Sequence, residues 1–198
     1  MQSAPARSAP ETVDRAELRK ELAAQRKLNL KRFHEYRLAR VYPHNTYQPG
    51  MLNVWRDDED HTCAVATILL KGGLENVVNS TAVDQNFVRI ADVTSGPLLD
   101  WVLTSGLTQE EVVMIQYPNW QEDDPVGFAA FQSEQRRKAR DRKREDARLS
   151  AGYLATERAL KQKVMQDAGL DLAVARLAAR PDLVAALRTS SPTRTAKR

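Results

Sequence analysis

From Gln132 to Arg148 the chain carries no side chain more apolar than alanine, and neither Gly nor Pro. A segment that is polar all round cannot be a core element, and with no breaker in it the expected form is a solvent-exposed helix. Whatever core this chain builds must therefore come from the residues before and after that stretch. The charges are sorted along the same lines. Residues 1–50 hold ten Lys/Arg against five Asp/Glu, residues 51–126 three against thirteen, and residues 127–198 seventeen against eight. Two basic flanks around an acidic centre bear on whom a protein meets and how fast.

At 198 residues the chain is long enough for one small domain with helical extensions. The longest apolar run, Ala64 to Leu70, falls far short of the roughly 18 to 20 residues needed to cross a bilayer. Met1 to Pro10 is Ser, Ala and Pro with one Arg, without the apolar stretch of a secretory signal. Cys63 is the only cysteine, which rules out an internal disulfide. These features read as a cytoplasmic protein with no membrane span.

Hydrophobic periodicity and breakers divide the chain. Residues 1–11 read as a disordered leader and 12–40 as an amphipathic basic helix capped by Thr12, with Leu18, Leu22, Leu30 and Phe33 near one face. Pro43 and Pro49-Gly50 open a small acidic globular domain over 41–120. In it, 52–56 and 86–90 read as short strands that could pair, Thr62 as the cap of a helix from Cys63 to Lys71, and 74–80 as a second helix. Pro97 sits at a first helical position, and Thr108 with Glu111 forms a capping-box pattern after Ser105-Gly106-Leu107. Trp101, Leu103, Val112 and Ile115 are the expected core of that corner. A long basic helical arm follows over 127–168, with Gly169 ending it. Short apolar helices occupy 170–189 around Pro181, and 190–198 reads as a disordered basic tail. The expected fold class is mainly α, a small central helical domain with room for a two-stranded β element, flanked by long basic helices.

All three histidines and the cysteine, His34, His44, His61 and Cys63, fall within a 30-residue window. Zinc takes imidazole and thiolate and wants four ligands, so these are the candidate metal ligands. No pair has the CxxC or HxxxH spacing that lets two ligands converge from one turn, and the competing reading is a surface His34, a loop-bonded His44 and a buried Cys63. Cys63 near a helix N-terminus could favour a thiolate, but Asp57-Asp58-Glu59-Asp60 beside it opposes a second negative charge. A calcium loop starting at Asp58 would put Cys63 at the turn glycine and Leu69 at the bidentate acid, which excludes it. No phosphate-cradling or nucleophile-elbow motif is present. No catalytic residue and no cofactor is assigned.

The segment Leu98 to Gln116, with Gly106-Leu107-Thr108-Gln109-Glu110-Glu111 at its corner, is similar to the start of a helix-turn-helix in the phage-repressor-like family of DNA-binding domains. That family needs a recognition helix next, and here Ile115-Gln116 runs into Tyr117-Pro118-Asn119-Trp120. Asp92 to Gln116 together with His61-Thr62-Cys63-Ala64-Val65-Ala66, about a third of the chain, resembles an uncharacterised bacterial domain family with no known activity, which assigns no role to any residue.

Two surfaces remain as candidate contacts. Arg136, Arg137, Lys138, Arg140, Arg142, Lys143 and Arg144 put seven cations into nine residues, a surface for an acidic protein partner or for nucleic-acid phosphates. Leu149, Tyr153, Leu160 and Val164 form an apolar stripe that needs a partner, either a partner helix or a second copy in a homo-oligomer. The functional expectation is a non-enzymatic interaction or scaffold protein. A nucleic-acid-associated factor is the second reading, and a thiol- or metal-dependent enzyme around Cys63 the third.

Overall fold

The computed structural model describes residues 13–47, 52–118 and 136–190, with side chains from 142 to 189 in the last segment. The expected leader, most of the tail and the loop around 119–135 lie outside the described residues. Among the described residues there are eight α-helices: α1 (Arg15–Ala39), α2 (Ala64–Leu70), α3 (Glu75–Asp84), α4 (Pro97–Thr104), α5 (Gln109–Gln116), α6 (Arg136–Leu160), α7 (Lys163–Ala178) and α8 (Pro181–Ser190). The fold is mainly α, and none of the described helices is long and apolar enough to cross a membrane.

α1 is the spine. Asp14 rather than Thr12 caps it, its carboxylate accepting from the N–H groups of Ala16 and Glu17, and the left-handed Arg40 closes it. Leu18, Leu22, Arg26, Asn29, Phe33 and Tyr36 are buried along one stripe at spacings of three and four. The upper part of that stripe, Leu18 and Leu22, packs with Leu170, Ala173, Val174, Leu177, Val184 and Leu187 of α7 and α8. The lower part, Phe33 and Tyr36, enters a larger cluster with Trp55, Val65, Ile68, Leu69, Trp101, Ile115, Tyr153 and Leu160. Tyr153 meets Phe33 and Tyr36 edge-on at ring separations of 5.7 and 5.3 Å, an arrangement aromatic quadrupoles favour.

Between the two clusters lies a charged knot. Arg26 forks onto Glu111 through two 2.7 Å hydrogen bonds, and both residues are 3% exposed. Arg26 also donates to the carbonyls of Gly106 and Leu160. The same Glu111 closes the expected capping box with Thr108 at the start of α5. Gly106 turns the α4–α5 corner at φ +75°, and a Cβ there would sit 2.1 Å from the Leu22 carbonyl oxygen, so α1 can pass this corner only because it is glycine.

The structure corrects several expectations. The flanking helices are not arms on a central 41–120 domain, because α1 and α6 supply part of its core. Gly169 does not end a helix. It lies inside α7, buried, where a Cβ would come within 2.8 Å of Glu111 Oε1; the break falls instead at Lys161-Gln162. No strand pair forms between 52–56 and 86–90. The Asn86 side chain bonds the Arg56 backbone and the Asn86 carbonyl accepts from Trp55, while Arg56 bridges to Thr62 across a tight turn. Cys63, not Thr62, caps α2. Of the expected corner core, Trp101, Val112 and Ile115 are buried and Leu103 is partly covered on the second cluster. The apolar seam on α6 covers the chain's own core: Tyr153 and Leu160 are buried and Leu149 packs on the same cluster, whereas Val164 begins a new helix and is 80% exposed.

Candidate functional site

The acidic turn after Trp55 is folded around one of its own carboxylates. Cys63 N–H returns to the Trp55 carbonyl and Asp57 N–H to the His61 carbonyl, which draws residues 55–63 into a closed loop. Asp57 Oδ1 accepts the N–H groups of Glu59 and His61, both at 2.9 Å, and Oδ2 accepts the N–H of His44 at 2.9 Å. One buried carboxylate thus joins the loop to the segment leaving α1. Burial works to raise the Asp57 carboxyl, but the backbone donors of His44, His61 and Glu59 outweigh it and hold the group below the ordinary carboxylate range.

Two of the four metal candidates converge on this carboxylate. His61 Nδ1 lies 3.2 Å from Asp57 Oδ2 and 3.6 Å from Glu59 Oε2, and His44 Nδ1 lies 3.7 Å from the same Asp57 oxygen. The two rings are 6.3 Å apart, nearly perpendicular. α6 closes the site from the other side, with Asp146 Oδ1 3.4 Å from His44 Nε2 and Arg142 pairing with Glu59 Oε1 at 3.2 Å. His44, Asp57 and His61 can each offer a ligand atom, all within 4.8 Å of one another.

His34 and Cys63 stand elsewhere. His34 Nδ1 is bonded to Glu157 Oε1 at 2.8 Å, on a carboxylate that also receives Arg37 and Lys161. Burial tends to raise Glu157, but Lys161, Arg37 and His34 together pull it down to about 2. Cys63 is 1% exposed, its Sγ accepts the Ala66 N–H, and burial pushes the thiol up to about 12. A thiol so placed is a small hydrophobe with a capping role and not a nucleophile at neutral pH. It borders a cleft of about 60 Å³ with Pro43, Val54, Tyr117 and Tyr153, well below the roughly 300 Å³ at which small-molecule sites begin.

The sequence marks Asp57 only as one of four consecutive acids and does not mark Asp146 as a site residue. The signal for Asp57 was present as Asp57-x-x-x-His61, two polar side chains around one turn, but four consecutive acids masked which of them points inward. Nothing in the sequence ties Asp146, inside the all-polar stretch, to a loop nearly ninety residues earlier.

The basic segment is helical, forming the N-terminal part of α6. Arg136, Arg137, Lys138 and Arg140 have side chains outside the described set. Arg142, Lys143 and Arg144 are exposed, and Arg142 pairs with Glu59. The Leu98 to Gln116 corner is a packed unit of the core, and Glu110 and Glu111 at its turn are held by Arg176 and Arg26. Comparison with protein-family models, with curated proteins and with solved structures finds no match to this chain.

Proposed function

We propose that this chain is a non-enzymatic interaction protein that engages an acidic protein surface through the cation-rich N-terminal part of α6. The observation that carries the reading is the change of character along that one helix. Its C-terminal half is held in the core by Tyr153 and Leu160, while Lys143 and Arg144, with Arg142 beside them on Glu59, stay exposed on a helix the core has already fixed. A rigid row of cations loses little freedom when it meets opposite charge, so complementarity there can steer encounter and fix orientation. With Tyr153 and Leu160 committed to the fold, self-association through the α6 seam loses its basis.

The test compares the wild type with Arg142→Glu/Lys143→Glu/Arg144→Glu. Exposed positions of this kind change stability by about 0.5 kcal/mol or less each, so the variant should melt close to the wild type. Capture on immobilised poly-glutamate, and on acidic proteins of the host lysate, should fall at least tenfold. Undiminished capture would overturn the reading. Filter binding of nucleic acid at about 50 and 200 mM salt provides the other outcome, because retention that collapses steeply between the two would assign the segment to phosphates instead.

A further inference from the structure

The cluster at His44, Asp57 and His61 has a chemistry that the contact surface on α6 does not use. Both ring nitrogens of His44 are closed off from solvent and neither makes a hydrogen bond, although carboxylate oxygens lie 3.7 Å from Nδ1 and 3.4 Å from Nε2. Buried polar atoms are rarely left in this condition, and each such case calls for a physical reason. We propose that His44 Nδ1, Asp57 Oδ2 and His61 Nδ1 form a binding site for one divalent first-row transition-metal ion, zinc above all, with the exposed Glu59, whose Oε2 lies 3.6 Å from His61 Nδ1, able to swing in as the fourth ligand.

The geometry suits such an ion. In a tetrahedral zinc site with bonds of about 2.0–2.1 Å, neighbouring ligand atoms stand about 3.4 Å apart. Here the separations are 3.2 Å from His61 Nδ1 to Asp57 Oδ2, 3.7 Å from His44 Nδ1 to the same oxygen, and 3.6 Å from His61 Nδ1 to Glu59 Oε2. Asp57 Oδ2 accepts the His44 N–H and is also hydrogen-bonded to His61 Nδ1 at 3.2 Å, so an ion would take the place of the His61 ring proton and use that second lone pair. Two imidazoles with two carboxylates select a borderline ion over calcium or magnesium, which take oxygen alone, and the two acids neutralise its charge.

The surroundings support the same assignment. With Nδ1 on the metal, the Nε2–H of His44 faces Asp146, the carboxylate–histidine–metal relay that fixes ring orientation and tautomer in metal sites. Asp57 is held in place by its backbone donors before any ion arrives, so the site is preorganised. His61 and Glu59 are 30% and 56% exposed on their side chains, which gives an entry path. Because Glu59 also pairs with Arg142 and His44 with Asp146, an ion here would fasten the loop to the base of the cationic part of α6. None of the proposed ligands lies on that helix, so the site stands whether or not α6 engages an acidic partner.

The chain has three histidines, which makes its imidazoles a direct readout. Full-length, chelator-stripped protein labelled with 15N is titrated with zinc and followed through the ring-nitrogen resonances. One equivalent should shift His44 and His61 at Nδ1 in step and leave His34, held by Glu157, unmoved. Cobalt(II) in place of zinc should give visible d–d bands that saturate at the same stoichiometry. His61→Ala should weaken zinc binding roughly 100-fold, and Asp146→Asn roughly tenfold, the loss typical for a group that orients a ligand. The wild-type titration stands even if His61→Ala fails to fold. Absence of saturable binding at micromolar zinc, or shifts at all three histidines alike, would overturn the site.

Discussion

Arg26 and Glu111 show how much of this fold rests on single side chains. A buried ion pair is not by itself strong stabilisation, because desolvation offsets much of the attraction, yet removing one partner leaves an uncompensated charge in the core. Arg26→Met is therefore expected to cost about 3–5 kcal/mol in urea denaturation. The double variant Arg26→Met/Glu111→Leu should recover a large part of that loss, since neither charge then remains buried. A double variant no more stable than the single would mean that the hydrogen bonds of Arg26 to the Gly106 and Leu160 carbonyls, and the cap that Glu111 provides, outweigh the charge pair. Glycine carries the same lesson. Gly169 reads in sequence as a helix end and is in fact the small residue that lets α7 approach the Glu111 carboxylate. Its spacing from neighbouring residues cannot distinguish a terminus from a close contact, because both need the missing Cβ.

At the scale of the element, helices with strong local signals stand where the sequence puts them. Pro97 starts α4 through its own fixed φ and the Thr108–Glu111 box starts α5 through backbone donors within one turn, so no distant partner is needed to read them. α6 shows the limit. Its polar first half and apolar second half are legible, but an apolar stripe states only that a partner exists, and the partner proves to be α1 of the same chain. The two helices are also joined by the Glu157 cluster, which yields a pH dependence. The Glu157 carboxyl ordinarily titrates at 4.5 and is held at about 2 in the fold, so its contribution is fully present above its ordinary value and is lost as pH falls toward 2. The gap in melting temperature between wild type and Glu157→Gln should be widest above pH 5 and close progressively below pH 4. A gap constant from pH 6 to 3 would show that the carboxylate is not what His34, Arg37 and Lys161 stabilise.

At the scale of the whole molecule, α1 runs through both hydrophobic clusters, and the Arg26–Glu111 knot lies between them. One helix shared by two cores predicts one unfolding event. Trp55 and Trp101 both report on the larger cluster, whereas far-ultraviolet circular dichroism reports on every helix, including α7 and α8. The two signals should therefore give the same urea midpoint, and a separate, earlier dichroism transition would show that the α7–α8 end unfolds on its own. The sequence by itself determined the helical class, the cationic segment that must stay in water and the starts of α4 and α5, because those follow from periodicity, from the fixed φ of Pro97 and from the Thr108–Glu111 box within one turn. Only the tertiary structure decided that the basic flanks are parts of the core, that Tyr153 is covered by Phe33 and Tyr36, and that His44, Asp57, His61 and Asp146 meet. Those meetings depend on closing loops of up to about 120 residues, and no local pattern records which of several compatible surfaces will come together.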